Sequence, residues 1–408
     1  MTKQLKTGLE ALSREHGLMT QEKPEPTKKE HKSLFIGIPK ETAYQENRVS
    51  LTPEAVGLLV NNGHEILIEA GAGERSNFGD NEYSEAGARI CYDPKQIFKA
   101  DIILKVEPLT NEEMEWLEPG KTLFSAMQVG NQTPEYLKAL INKKITAIGF
   151  EYIEDKVGGM PVVRAMSEIA GSTVMLIAAE YLSSVNRGMG IILGGITGVP
   201  PTKVVIIGAG TVGEYAARTA IGLGAEIEVY DNQIYKLRRI KHALGQQVFT
   251  SAIDTVRLGR SLETADVVIG AVRAEKGRNK IVVTDDMVSR MKQDSVIVDV
   301  SIDQGGCFET SRITTHDDPI YRKHGVLHYC VPNIASRVAR TATEAFSNIF
   351  TPILLRMGDL GGVDDMIFTN PWFMKGVYAY RGSLTNKHLA QRFNLRYRDL
   401  ELLITARF

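Results

Sequence analysis

One short stretch of this chain carries residue types and spacings that point to chemistry. Lys203-Val-Val-Ile-Ile-Gly-Ala-Gly-Thr-Val-Gly213 runs from β-branched apolar residues into G-A-G-T-V-G, and then into Glu214-Tyr-Ala-Ala-Arg-Thr-Ala220, which reads as a helix. Ile227-Glu-Val-Tyr-Asp231 reads as a second short strand ending in a carboxylate, at the spacing a dinucleotide fingerprint requires. Gly208 permits the tight strand-to-helix turn, Gly210 lets the backbone approach a pyrophosphate, and Gly213 lets helix and strand pack closely. The free N–H groups at the start of the helix, at Thr211 and Val212, suit phosphate oxygens. Asp231 can accept from both ribose hydroxyls and would repel a 2′-phosphate, so the pattern predicts NAD rather than NADP. An ordinary βαβ turn with packing glycines leaves Asp231 unexplained.

Such a turn needs a parallel sheet beneath it. The chain has 408 residues, enough for two or three domains at about 150 residues each. Apolar residues make up 43% and charged residues 24%, the balance of a soluble protein with sizeable cores. A net charge of −1 gives no basic field for nucleic acid or anionic lipid. Cys91, Cys307 and Cys330 are too few, and odd in number, for a disulfide framework, which fits a reducing cytoplasm. They lack a Cys-x-x-Cys or His-rich partner, so no metal site is expected. Residues 1–33 have no apolar segment of the secretory kind. No stretch reads as a membrane span; Met166–Leu182 comes nearest, but Ser167, Glu168, Ser172 and Glu180 interrupt it, so a long buried helix is expected.

Within residues 1–33, Leu5, Leu9 and Leu12 could line a short helix, and Gln21–Ser33 is Lys, Glu and Pro with little to bury, as in a solvated linker. Strands are predicted at Leu34–Ile38, Glu65–Glu69, Ala100–Val106, Thr122–Ser125 and Thr146–Phe150, with helices at Pro53–Asn62 and Pro134–Asn142. A helix over Met166–Asn186 leads to the second unit, whose later strands are Asp266–Ala271, Ser295–Asp299 and Leu327–Cys330. From Thr341 the pattern is helical again, and this segment is expected to rejoin the first unit. The expected fold is α/β, with two doubly wound, Rossmann-like parallel sheets and a cleft between them. The expected domains are a flexible extension (1–33), a substrate domain (34–163 with 338–408) and an NAD-binding domain (164–337).

Beyond the fingerprint stand Gly37-Ile-Pro-Lys-Glu-Thr42, Glu46-Asn-Arg-Val-Ser-Leu-Thr-Pro53, Gly63-His-Glu-Ile-Leu-Ile-Glu-Ala-Gly-Ala-Gly73, Leu104-Lys-Val106, Met166-Ser-Glu-Ile-Ala-Gly171 and Val298-Asp-Val-Ser-Ile-Asp-Gln-Gly-Gly-Cys-Phe-Glu309. With these strings the chain, from about residue 34 onward, resembles the alanine dehydrogenase family. That family shares its fold with the NAD-binding subunit of proton-translocating transhydrogenase; Ile302-Asp-Gln-Gly-Gly306 resembles the dehydrogenase branch. The resemblance implies a homohexamer that reversibly converts L-alanine, NAD and water into pyruvate, ammonium and NADH, with the substrate between the domains.

Oxidative deamination needs a cation for the substrate carboxylate, a base for the ammonium and water protons, and donors for the carbinolamine oxygen. The resemblance assigns carboxylate binding to Arg48, whose fork suits a carboxylate, with Glu46 orienting it. Lys105 matches a family lysine on the substrate carboxylate and carbonyl oxygen; burial is expected to lower its pKa. Asp303 matches an aspartate beside the nicotinamide. Asn333 matches a residue reaching both ligands. Ser167, Lys236, Val272, Val300 and Ile302 match cofactor contacts. The chain departs from the family at Gln128, where a general acid–base histidine is expected, and at Glu107, where Lys105-Val-Glu107 replaces a second lysine. A glutamine cannot exchange a proton near neutrality. Either Lys105, Asp303 or a relayed water takes that role, or the reaction differs, or turnover is poor. His64 and His328 read as structural. A transhydrogenase-like NAD(H)-binding subunit, and an NAD-binding homologue with weak or altered amino-acid specificity, are the alternatives.

Overall fold

The computed structural model describes residues 31–273 and 279–405. The helix predicted around Leu5–Leu12 lies outside them. His31–Ser33, expected in a linker, are tied down: Lys32 N donates to Gly358 O (3.0 Å) and Ser33 Oγ to Gly63 O (2.6 Å).

The chain first lays down β1 (Phe35–Ile38), β2 (Glu65–Glu69), β3 (Arg89–Cys91), β4 (Ile102–Leu104), β5 (Thr122–Ser125) and β6 (Thr146–Gly149). After β1 comes helix α1 (Pro53–Asn61). The Thr52 side chain caps it and Pro53 occupies its first turn, where a missing N–H costs nothing. Helix α2 (Pro161–Leu182) then leads to β7 (Lys203–Ile207), α3 (Thr211–Gly222), β8 (Glu226–Tyr230), β9 (Phe249–Ser251), β10 (Val267–Gly270), β11 (Val296–Asp299), β12 (Ile320–Lys323) and β13 (Val326–Tyr329). Helix α4 (Ala339–Asp359) returns to the first unit, where β14 (Val377–Tyr380) and β15 (Ser383–Leu384) complete its sheet.

The strands form an eight-stranded sheet, β15-β14-β6-β5-β4-β1-β2-β3, and a seven-stranded sheet, β12-β13-β11-β10-β7-β8-β9. Both are parallel except at one edge, where β14 pairs antiparallel with β6 and β15, and β12 with β13. The chain order reverses between β1 and β4 in the first sheet and between β7 and β10 in the second. Open parallel sheets bind ligands outside the carboxyl ends of the strands at such points.

Helix α2 is 22 residues long, starting at Pro161 rather than Met166 and ending at Leu182. By length and composition it could cross a membrane, which corrects the reading that no stretch could. A core helix passes the same test, and here ten of its residues are buried. Val162 belongs to the core of the first sheet, whereas Ala170, Val174, Ile177 and Tyr181 belong to that of the second. Phe346, Phe350 and Leu354 of α4 pack in the first core, as expected for a returning segment.

Candidate functional site

The carboxyl ends of β1, β4 and β5 deliver the first group of side chains. Arg48 lies in the loop between β1 and α1, is buried, and stacks its guanidinium 5.2 Å from the Phe346 ring centre. Glu46 holds it from two sides, with Nε donating to Oε1 at 2.7 Å and Nη2 to Oε2. A guanidinium has five N–H groups; one on Nη1 donates to the weak acceptor Met166 Sδ at 3.4 Å, so one on Nη1 and one on Nη2 remain for a ligand. Burial opposes the charge on Arg48, but the Glu46 carboxylate outweighs it and holds the guanidinium more firmly protonated than usual. Burial likewise opposes ionisation of Glu46, and Arg48 reverses the balance, leaving Glu46 below the ordinary carboxylate range.

Glu107 follows β4. Its Oε1 lies 3.9 Å from Arg48 Nη2, and its Oε2 accepts a hydrogen bond from the Gln128 amide. Burial, and then the charge on Glu46, push the Glu107 carboxyl up to about 7. Gln128 adopts a left-handed backbone (φ 45°), uncommon for a non-glycine residue. Its N–H donates to Glu151 Oε1 at 2.9 Å, which holds the loop in that shape.

Lys105 is not in this group, which corrects the expectation for it. Its ammonium is buried, 2.9 Å from both oxygens of Glu113 and 3.5 Å from Glu41 Oε2, and it also donates to Pro108 O at 3.4 Å. All three donor positions are thereby engaged. Burial would lower its pKa as the sequence reading supposed, but Glu41 and Glu113 reverse this and raise it. Glu41 itself is pushed up to about 7, chiefly by burial.

The second group stands at the carboxyl ends of β7, β10, β11 and β13. Gly208 turns at φ 111°, and a Cβ there would strike Ala271 O at 2.4 Å, with Val272 N at 2.9 Å. A Cβ on Gly213 would lie 1.9 Å from Gly208 O, so this glycine is fixed by packing. At Gly210 a Cβ would meet nothing within 4 Å. The protein leaves open space there, above the N–H groups of Thr211 and Val212 that begin α3. A pyrophosphate fits such a cradle, and the residues present suit a dinucleotide. Asp231, at the end of β8, bonds the same turn: its Oδ2 accepts from Ala209 N at 2.8 Å and its Oδ1 from Gln233 N at 2.7 Å. A carboxylate has about four acceptor positions, which leaves two for ribose hydroxyls.

Other expected cofactor contacts spread over four elements. Ser167 is half-buried in the second turn of α2 rather than at its start. Lys236 is half-buried on the helix Ile234–Leu244. Val272 and the turn Val300–Gln304, which holds Ile302 and Asp303, are joined by Asn279, whose amide donates to Val272 O and Ser301 O at 3.2 Å each. His328 is buried, bonded to Thr310 (2.8 Å) and stacked on Tyr321, and burial pulls its pKa down to about 4. His64 meets Leu34 N at 3.2 Å and stacks on His31. Both are engaged in contacts within the protein's own packing.

Asn333 bridges the two groups. Its side-chain amide donates to Glu46 Oε2 at 2.9 Å, and its backbone N–H donates to Asp303 Oδ1 at 3.2 Å. Asp303 remains open to solvent even as the protein crowds round it; that crowding raises its carboxyl above the ordinary value, and backbone bonding and Arg48 partly offset the rise. Asn47 N donates to Ser336 Oγ (2.9 Å) and Tyr44 OH to Asp317 (2.6 Å), so the Arg48 loop lies against the second unit. The ligand-binding ends of both sheets therefore face one cleft.

Two family models match this chain: Alanine dehydrogenase/PNT, N-terminal domain, over residues 37–170, and Alanine dehydrogenase/PNT, C-terminal domain, over 174–387. "Alanine dehydrogenase 2" of Staphylococcus aureus (strain USA300) is 39% identical over 369 residues, covering 90% of this chain and 99% of its own length. A solved L-alanine dehydrogenase superposes with a TM-score of 0.83 at 34% identity, over 88% of this chain and 99% of its own. A transhydrogenase from Sinorhizobium meliloti, at 24% identity and a TM-score of 0.74, covers 86% of this chain and 99% of its own, and shares the fold. With both domains matched in order and nearly the whole relative covered, the chain belongs to the alanine dehydrogenase/PNT family of enzymes.

Proposed function

We propose that this enzyme oxidatively deaminates L-alanine, or a similarly small L-amino acid, with NAD, in a reversible reaction. The observation that carries the reading is the bridge from Arg48 through Glu46 to Asn333 and Asp303. It sets a cation with free N–H groups beside the loop that follows β11, in the cleft that also holds the glycine turn. Arg48 would bind the substrate carboxylate through Nη1 and Nη2. Asn333 and Asp303 would approach the amine side from the opposite wall. Gly208, Gly210, Thr211, Val212, Gly213 and Asp231 would hold the dinucleotide, with Ser167, Lys236, Val272, Val300 and Ile302 along its length. When bound, NAD supplies the hydride acceptor. Asp231 favours a free ribose over a 2′-phosphate, which supports NAD rather than NADP.

The three cysteines are unpaired, which supports a cytoplasmic setting. The family resemblance supports a homohexamer. The test mixes purified protein with NAD and a panel of L-amino acids at alkaline pH and follows NADH absorbance; the reverse run uses 2-oxo acids, ammonium and NADH. Absence of a signal in both directions refutes the reading. Hydride exchange between two nicotinamides without any amino acid would replace it with the transhydrogenase-like alternative.

A further inference from the structure

We propose that Glu107 is the general acid–base of this enzyme, oriented by Gln128, and that its proton decides which of the two substrates the Arg48 site accepts. The inference rests on the amino-acid dehydrogenase reading above and adds the group that moves the proton.

Among the side chains gathered around Arg48, the geometry singles out Glu107. The Gln128 amide can donate a hydrogen bond but cannot carry a proton, and here it donates to Glu107 Oε2. Lys105 is enclosed by Glu113, Glu41 and Pro108 O. Glu46 is committed to Arg48 and Asn333 and stays ionised. Glu107 is the carboxyl left beside the guanidinium, with Oε1 3.9 Å from Nη2 and its side chain 15% exposed. A substrate carboxylate on the free N–H groups of Arg48 would leave its Cα substituents within reach of that oxygen.

The charges facing Glu107 fix the direction of its response. From its own segment comes Lys105, neutralised by its acidic partners; from the Arg48 loop come Glu46, Arg48 and Glu41, to whose Oε2 the Glu107 N–H donates at 3.4 Å. Glu151 lies behind Gln128, and Asp303 stands on the opposite wall beside Asn333. Two carboxylates against one guanidinium hold a single proton best on the member with fewer donors, which is Glu107. Its titration near neutrality agrees with that arrangement.

In deamination, ionised Glu107 takes a proton from the substrate ammonium and passes it to solvent. The amine lone pair then forms the C=N bond as the Cα hydrogen departs with its electron pair. Water adds to the iminium carbon and gives its proton to Glu107, leaving a neutral carbinolamine. Glu107 returns that proton to nitrogen; the C–N bond breaks, and the O–H electrons form C=O while its proton goes to the departing ammonia. One water is consumed, and one 2-oxo acid, one ammonium, one hydride and one proton are produced. The zwitterionic amino acid thus pairs its ammonium with ionised Glu107. A 2-oxo acid offers a carbonyl instead and needs protonated Glu107, which also spares it the repulsion of a second carboxylate.

The test uses the full chain and pyruvate as the probe, with binding to the NADH-loaded protein read from NADH fluorescence between pH 5.5 and 9. Wild-type affinity should weaken at least about tenfold through neutrality. E107Q should abolish the pH step and cut kcat/KM for amino acid by about 10²–10⁴-fold; D303N should keep the step. E107Q that retains the step, or turns over within about threefold of wild type, overturns the proposal. Should E107Q fail to fold, E107D decides: the same carboxyl withdrawn by one methylene should keep the step with reduced turnover, and wild-type turnover with an unmoved step refutes the inference. A wild-type protein inactive on every amino acid and 2-oxo acid sinks the broader reading instead.

Discussion

Replacing Lys105 with Met keeps the stem and removes the charge, which separates a structural lysine from one that touches substrate. The ammonium lies 2.9 Å from both oxygens of Glu113 and 3.5 Å from Glu41, and all three side chains are at most 5% exposed. Removing one partner from a buried pair costs about 3–5 kcal/mol. Glu41 is already held at about 7 by burial, so it escapes much of the cost by taking up a proton. Glu113 also caps its own helix, accepting from Thr110 N at 2.7 Å, and that bond persists in the variant. Both effects place the loss near the lower bound, about 3 kcal/mol. For domains of about 150–250 residues this lowers Tm by roughly 6–12 °C. Calorimetry at mildly alkaline pH on wild type, K105M, E113Q and the double variant measures it, and the cycle should return a coupling of about 1–3 kcal/mol. A K105M protein that melts within about 1 °C of wild type yet loses turnover would show that the lysine works on substrate and that the packing argument is wrong.

Three further outcomes are expected. G210A should melt like wild type, because its Cβ meets no protein atom, yet lose NADH affinity; G213A, whose Cβ would sit 1.9 Å from a carbonyl oxygen, should lose stability as well. Fluorescence titration beside thermal melts distinguishes them. The raised carboxyl of Glu107 gives a signed pH effect. Its folded pKa of about 7 lies above the ordinary 4.5, so the stability it lends is fully present below about 4.5 and is lost as pH rises to about 7. E107Q should therefore be more stable relative to wild type at pH 7.5 than at pH 4.5 in urea unfolding, and an equal difference at both would contradict the assignment. R48K should raise the KM for 2-oxo acid by about tenfold or more, since one point charge replaces a fork worth about 1.5–3 kcal/mol per charge-assisted bond; an unchanged KM would exclude Arg48 from the carboxylate site.

The fingerprint was legible because each of its steps is local. The apolar run, the glycine spacing and the closing Asp231 all lie within one βαβ unit, and the fold keeps their order. The return of α4 to the first unit follows from order along the chain: its helical pattern begins after the chain has left the dinucleotide unit, and Phe346, Phe350 and Leu354 pack in the first core. By contrast β14 was hidden, since its partner β6 lies far back in the chain and only the fold brings Val377 opposite Ile148. Lys105 was misjudged for a related reason. Its solvation is decided by Glu41 from the β1 loop and Glu113 from a short helix, and neither spacing announces that they converge on one ammonium. The sequence did show Glu107 as a lost cation. What it withheld was that the replacement carboxyl would meet Gln128 and Arg48 together.

The Asn333 amide reaching Glu46 makes a latch out of the anchor. Parting the two lobes would take that donor away from the carboxylate that steers Arg48, so the aim of the fork and the contact between the lobes rest on one side chain, Glu46.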